Sequence, residues 1–266
     1  MQDNNETSSH FDQYKKELDA LNLRTTADLK DLVKSLIKPA TKLNVLPPSL
    51  LPDNSQLESH FGGQPYFESG EQWPTDKNGI HLDFIFQIFN LPELELPQEI
   101  ELIQFFYNFE TFPWSTEDDG WLVKIYKELN RDKIELIETP NNVRTLKFCP
   151  INFERIFTLP DWEGIDVYSP NASKLSCVLN EDQPWENYQK TVQELIGEQY
   201  YQSQLGGYPR WVQGAPIFDD IDGQPMTLLF QIDSENNPEL MWGDVGLIYV
   251  LYNEKIENLE FILQCF

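Results

Sequence analysis

The stretch "SHFGGQPYFESG" beginning at Ser59 returns in altered form as "SQLGGYPRWVQG" at Ser203, 144 positions later. Aligned without a gap, Ser59 to Asn90 and Ser203 to Ser234 agree at ten of 32 positions, among them both members of each Gly-Gly pair, Pro65/Pro209, Phe86/Phe230, Gln87/Gln231 and Ile88/Ile232. Ordinary residue usage would give roughly two agreements. After one additional residue in the second segment, "LIQFFYN" from Leu102 matches "LIYVLYN" from Leu247. A period this long excludes a solenoid of short repeats. The expectation is an internally duplicated α+β protein, pseudo-two-fold, with mostly antiparallel β-sheets and flanking helices.

The residue types shared by the two segments each have a local physical role. Gly-Gly followed by x-Pro permits positive φ and then an extended segment. Gly79 and Gly223 follow Asn78 and Asp222, and Asn-Gly or Asp-Gly before an apolar run is a strong hairpin signal. The runs that follow, "LDFIFQIF" and "MTLLFQID", are almost continuously apolar, as in strands covered on both faces. Gln87 and Gln231 inside them need hydrogen-bond partners, because an unpaired buried amide costs about 1 to 3 kcal/mol. Their recurrence favours a structural bond over a catalytic role.

Around these segments, "TADLKDLVKSLIKP" places Leu29, Leu32, Val33, Leu36 and Ile37 at helical spacing, with Thr26 as cap and Pro39 as stop. A second helical pattern lies around Phe11, Tyr14, Leu18 and Leu21, and a third runs from Trp185 to about Gln202. "WLVKIYKEL" from Trp121 and the closing "EKIENLEFILQCF" read as strands. The organisation expected is an N-terminal helical segment over 1–45, a first repeat with connecting strands over 46–182, and a helix plus second repeat over 183–266, all in one compact body.

With 19 Lys plus Arg against 44 Asp plus Glu, the 266-residue chain has a net charge of −25 at pH 7. Such a surface repels nucleic-acid phosphates and anionic lipid headgroups, so neither nucleic acid nor membrane is the expected partner. A basic protein is the favoured kind, although the acidity also serves simply to keep a monomer soluble. The N-terminal stretch lacks the pattern of a secretory signal, and no apolar run approaches the roughly 20 residues of a membrane span. Cys149, Cys177 and Cys265 are too few and too scattered for a disulfide framework or zinc site. The expectation is cytoplasmic.

No phosphate loop, nucleophile elbow, paired-His zinc helix or dinucleotide fingerprint is present, so no catalytic residue, metal or cofactor is assigned. His60 and His81 have no histidine counterpart in the second segment, where Gln204 and Pro225 stand. "FDDIDG", with Asp219, Asp220 and Asp222, fails as a calcium loop because Phe218 and Leu229 would occupy ligand positions; "STEDDGW", with Glu117, Asp118 and Asp119, reads as an acidic loop. The sharper signal is where the segments differ. "IDSENNPELMWGDVG" stands where the first has "IFNLPELELPQEIE", so Asp233, Trp242 and Asp244 are candidates for a cleft, with Tyr208 and Trp211, that takes a cation or basic side chain. Alternatively Trp242 is core and the acids cap turns.

"FGGQPYFESGEQWPTDKNGIHLDFIFQI", "GGYPRWVQG", "LLFQIDS" and "MWGDVGLIYVL" resemble the YwqG-like bacterial domain-of-unknown-function family over roughly Leu46 to Phe266. The shared elements map to Gly206, Gly207, Pro209, Gln231, Asp233, Trp242, Gly243, Asp244 and Gly246. The resemblance implies a cytoplasmic α+β protein and supplies no catalytic residues. Some relatives are similar in setting to immunity proteins encoded beside bacterial toxins. The functional expectation is therefore a non-enzymatic, immunity-like binder of a basic protein. The alternative is a small-molecule-binding protein or enzyme with its cleft near Asp233, Trp242 and Asp244.

Overall fold

Gly62 and Gly63 have φ of +58° and +70°, and Gly206 and Gly207 have +63° and +72°, a left-handed conformation that glycine alone adopts cheaply. These pairs follow two short strands, β2 (His60–Phe61) and β7 (Gln204–Leu205), in a computed structural model that describes residues 3–216, 226–253 and 258–266, with side chains from Phe11 onward. The other strands are β1 (Lys38–Val45), β3 (Asp83–Phe89), β4 (Leu102–Tyr107), β5 (Trp121–Tyr126), β6 (Cys149–Thr158), β8 (Thr227–Asp233), β9 (Leu247–Tyr252) and β10 (Leu259–Gln264). Among the described residues they form one ten-stranded sheet in the order β10-β9-β8-β7-β1-β6-β2-β3-β4-β5. With the five α-helices of the described residues, the protein is α+β.

The two matched segments have the same hydrogen-bonding pattern. His60 pairs antiparallel with Gln87, and Gln204 with Gln231. The β3–β4 ladder shifts register between Phe84 and Phe86, and the β8–β9 ladder between Leu228 and Phe230. Gly62 N–H donates to Ile85 O, and Gly206 N–H to Leu229 O. Ser59 Oγ accepts from Phe89 N–H, and Ser203 Oγ from Asp233 N–H, each at 3.0 Å. The Gln87 amide donates to Glu58 O at 2.9 Å and the Gln231 amide to Gln202 O at 2.8 Å. Both glutamines are fully buried and serve the backbone, as a recurring buried amide should.

The chain divides into two units. One contains residues 40–156, 202–206 and 227–266, and so holds nearly all of the sheet. Its core is aromatic: the Phe86 and Phe230 rings meet edge to face at 5.2 Å, and Phe105 stacks on Phe261 at 6.0 Å. The sheet curls until its ends meet. Ser115, after β4, bridges Ile262 of β10, and Trp121 of β5 stacks on Phe261 with centroids 5.1 Å apart.

The other unit, residues 1–39, 157–201 and 207–226, holds α1 (Asp3–Ala20), α2 (Thr26–Lys34), α3 (Ile165–Tyr168), α4 (Pro170–Leu179) and α5 (Pro184–Ile196). Leu18, Leu29, Val33, Leu175, Tyr188 and Val192 lie in its core. The cap of α2 is Thr25 rather than Thr26, closing a capping box with Asp28. α5 stops at Ile196, short of the expected Gln202, because Gly197 at φ +83° ends it. The N-terminal segment expected to be helical over 1–45 turns to strand at Lys38: α2 ends at Lys34, short of Leu36 and Ile37, and Pro39, expected as its stop, lies inside β1. The stretches 46–182 and 183–266 each contribute to both units, since each carries sheet strands as well as helices.

Candidate functional site

The five residues singled out by sequence fall in both units. Tyr208 and Trp211 belong to the helical unit; Asp233, Trp242 and Asp244 belong to the sheet unit. Tyr208 is 4% exposed, and its ring lies edge to face with Tyr168 at 4.7 Å. The Lys38 ammonium stands 4.4 Å from the Tyr208 ring centroid. Partial burial there lowers the Lys38 pKa, and the ring face offsets some of the lost hydration.

Trp211 is also buried, and its backbone N–H donates to Asp161 Oδ2 at 2.7 Å. Asp161 Oδ1 accepts from Gly164 N–H at 2.9 Å. Burial pushes the Asp161 carboxyl up to about 6, against the opposing pull of the Trp211 N–H and the Arg210 charge. Asp161 and Arg210 border a cavity of about 500 Å³ beside α5, which Glu186, Lys190, Glu198 and Tyr200 also line. Nothing in the sequence around "LPDWEG" marked Asp161, because its burial comes from chain-distant segments.

In the sheet unit, Trp242 is fully buried. Phe109 stacks on it at 5.6 Å and Tyr107 meets it edge to face at 5.0 Å. Its Nε1 is buried without a hydrogen-bond partner, while its backbone N–H donates to Ser234 Oγ at 3.0 Å. Asp244 is exposed, with its carbonyl accepting from Phe266 N–H at 3.3 Å. Asp233, at the end of β8, accepts from Ser234 N–H at 2.7 Å, and burial raises its pKa.

The group that sequence reasoning missed is Glu235. Ser203 Oγ donates to its Oε1 at 2.5 Å, while burial and the neighbouring Asp233 push its carboxyl up to about 7, against the Ser203 bond and the Lys42 charge. Ser203 was visible as a repeated residue, yet nothing local indicated a carboxylate partner 32 residues away. Asp233, Glu235 and Ser203 are thus brought together at one end of β8.

Among the described residues, no group of three or more His, Cys, Asp or Glu is placed to hold a metal ion. Among the same residues, no helix is long and apolar enough to cross a membrane. The acidic stretch Asp219, Asp220 and Asp222, with Gly223, lies outside the described residues.

None of the curated proteins compared matches the chain. A family model described as a domain of unknown function, DUF1963, matches residues 59–262, a span that contains both matched segments and every strand except β1, with β10 to Ile262. The protein therefore belongs to the DUF1963 family.

Proposed function

We propose that this protein is a non-enzymatic, immunity-like binding protein of the cytoplasm, acting as a monomer whose acidic surface engages a basic protein partner. One observation carries the reading. The chain has 44 Asp plus Glu against 19 Lys plus Arg, and among the described residues few acids are withdrawn from water: Asp76 and Asp83 are buried, and Asp161, Asp233 and Glu235 partly so. Most of the excess charge therefore stands at the surface without a cation to balance it. Such a field accelerates encounter with a positively charged partner and weakens as salt screens it. The test is the association rate with the partner at low and high ionic strength. A fall of about tenfold or more between ~20 mM and ~300 mM salt is expected; a rate indifferent to salt removes the proposal.

The internal duplication belongs to the same reading. Its support is the strand order, which reads alike from both ends with β1 and β6 at the centre, together with the matching hydrogen bonds at a spacing of 144.

A second reading, a small-molecule site or enzyme near Asp233, Trp242 and Asp244, is favoured by Glu235. A carboxyl with a pKa of about 7 beside a serine hydroxyl is suited to proton transfer at neutral pH. A ligand that raises the melting temperature of the wild type but not of Glu235→Gln would support it. Equal stabilisation of both would remove Glu235 from the site.

A further inference from the structure

The connection from β4 to β5 spans residues 108–120, thirteen positions, whereas β9 and β10 are joined by the six positions 253–258. The longer loop is held firmly. Asn108 Oδ1 accepts from Glu110 N–H at 2.9 Å and Thr111 N–H at 3.2 Å, and Tyr107 Oη donates to Pro113 O at 2.8 Å. Asp118 Oδ2 accepts from Trp114 N–H at 2.8 Å and Ser115 N–H at 3.1 Å, and Trp114 O accepts from Leu263 N–H at 2.8 Å.

Within this fixed frame two residues are in conformations that burial alone does not explain. Phe112 has φ of +50°, rare for an aromatic residue, and such backbone conformations concentrate at functional sites. Trp114, against which Phe112 packs edge to face at 5.4 Å, remains 47% exposed. A Cβ built on Gly243 would lie 3.9 Å from Trp114 Cη2, so the glycine of the "MWGD" element borders the edge of the indole.

Phe112 and Trp114 line a cavity of about 370 Å³, together with Asp118, Asp119 and Lys77. The two carboxylates and two aromatic rings offer what a planar cation needs: acceptors for its N–H groups and π faces for its charge. Among the described residues no cation pairs with Asp118. The only ion pair of Asp119 is with Lys77 at 3.9 Å, at the limit of such contacts, and the Lys77 side chain is 74% exposed. Lys77 can swing away at little cost.

We propose that this cavity receives an arginine side chain of the basic partner, with the guanidinium between the Trp114 and Phe112 rings and the Asp118 and Asp119 carboxylates. The proposal rests on the basic-partner reading above and adds the site at which that partner is gripped. Charge complementarity selects a cation, and the flat face of the half-exposed Trp114 indole selects guanidinium over ammonium.

The test uses Nα-acetyl-arginine amide as probe, followed through the indole N–H signal of Trp114 in a 15N-labelled sample, assigned by its loss in Trp114→Phe. A saturable shift of that signal is expected, weakened about fivefold or more in Asp118→Asn/Asp119→Asn. Asparagine keeps an oxygen acceptor for the Trp114 and Ser115 N–H groups, and an unchanged melting temperature verifies that the double variant is folded. The neutral isostere Nα-acetyl-citrulline amide should leave the signal in place. Equal shifts from both amides, no saturable shift, or an undiminished response in the double variant would each overturn the proposal. If the arginine probe fails while association with the whole partner remains salt-dependent, the cavity is dismissed and the acidic-surface reading stands. If the probe binds while association is indifferent to salt, the guanidinium site stands without that reading.

Discussion

The segments beginning at Ser59 and Ser203 have the same skeleton, and their differences lie where one side chain replaces another on it. His60 and Gln204 occupy matching positions, and each side chain reaches the carbonyl of a matching glycine, Gly62 at 2.6 Å and Gly206 at 3.1 Å. Either residue type can serve that turn. The remaining atom distinguishes them: Gln204 Oε1 accepts from Gln202 at 3.3 Å, whereas His60 Nε2 is buried without a partner among Phe84 and Phe148. Phe89 and Asp233 likewise present the same backbone N–H to a serine, but Phe89 is core and Asp233 stands beside Glu235. The backbone bonds specify the architecture, while each segment carries its own titratable group. The first segment holds a base kept neutral, and the second an acid held partly protonated.

The largest effect should come from testing whether the paired glycines are equally constrained. A Cβ on Gly62 would lie 2.4 Å from both Leu146 O and Lys147 O, while one on Gly206 would lie 2.8 Å from Glu95 O. Both residues have positive φ. Gly62→Ala should cost about 4 kcal/mol or prevent folding, and Gly206→Ala about 2 kcal/mol, read from urea unfolding. Equal costs would mean that the chain around Gly62 moves aside.

An intermediate effect is a pH dependence of opposite sign in the two segments. Burial lowers the His60 pKa to about 4, so between pH ~6.5 and ~4 the unfolded chain binds a proton that the folded chain refuses. Stability is full above that window and falls through it by about 3 kcal/mol as pH drops. Glu235 is raised to about 7, so its contribution is full below pH ~4.5 and is lost as pH rises through 7. That loss is roughly 2 kcal/mol after allowing for partial exposure. The two windows overlap between pH ~4.5 and ~6.5 with opposing slopes, so in unfolding titrations His60→Gln should leave stability falling as pH rises there, and Glu235→Gln should leave it rising. A slope of the other sign in either variant would show that the groups are wrongly assigned.

The smallest effect concerns Trp242, which has no counterpart in the first segment. Trp242→Phe removes a buried N–H without a partner, relieving about 1 to 3 kcal/mol, and leaves a small cavity of similar cost. The expected net change is within about 1 kcal/mol by urea unfolding. A loss above ~3 kcal/mol would indicate that Nε1 has a partner in solution.

Much of this architecture was legible in short windows of sequence. The positive φ of each Gly-Gly pair, the buried strands β3 and β8 and the backbone-serving role of Gln87 and Gln231 all follow from local residue pattern. β1 was not legible, because "KPATKLNV" is polar and contains a proline near its start, both of which argue against a strand. α4 was overlooked although Ser169 caps it and Pro170 opens it, a pairing that does mark a helix start. Of the candidate residues, Trp242 is enclosed by Phe109 and Tyr107, while Asp161 and Glu235 acquired their shifted pKa values through burial by distant segments.

The sequence by itself determined the matched strands β3 and β8, the Gly-Gly turns before them and the apolar faces of α2 and α5, because residue periodicity and glycine conformation act over a few positions. Only the tertiary structure decided that β1 and β6 stand between the two segments, that the sheet curls until Ser115 meets Ile262, and that Trp114 stays half exposed beside two carboxylates. Those outcomes depend on which distant surfaces bury one another. Any of several apolar strands satisfies the local pattern equally well, and the choice among them is made by packing across the whole sheet.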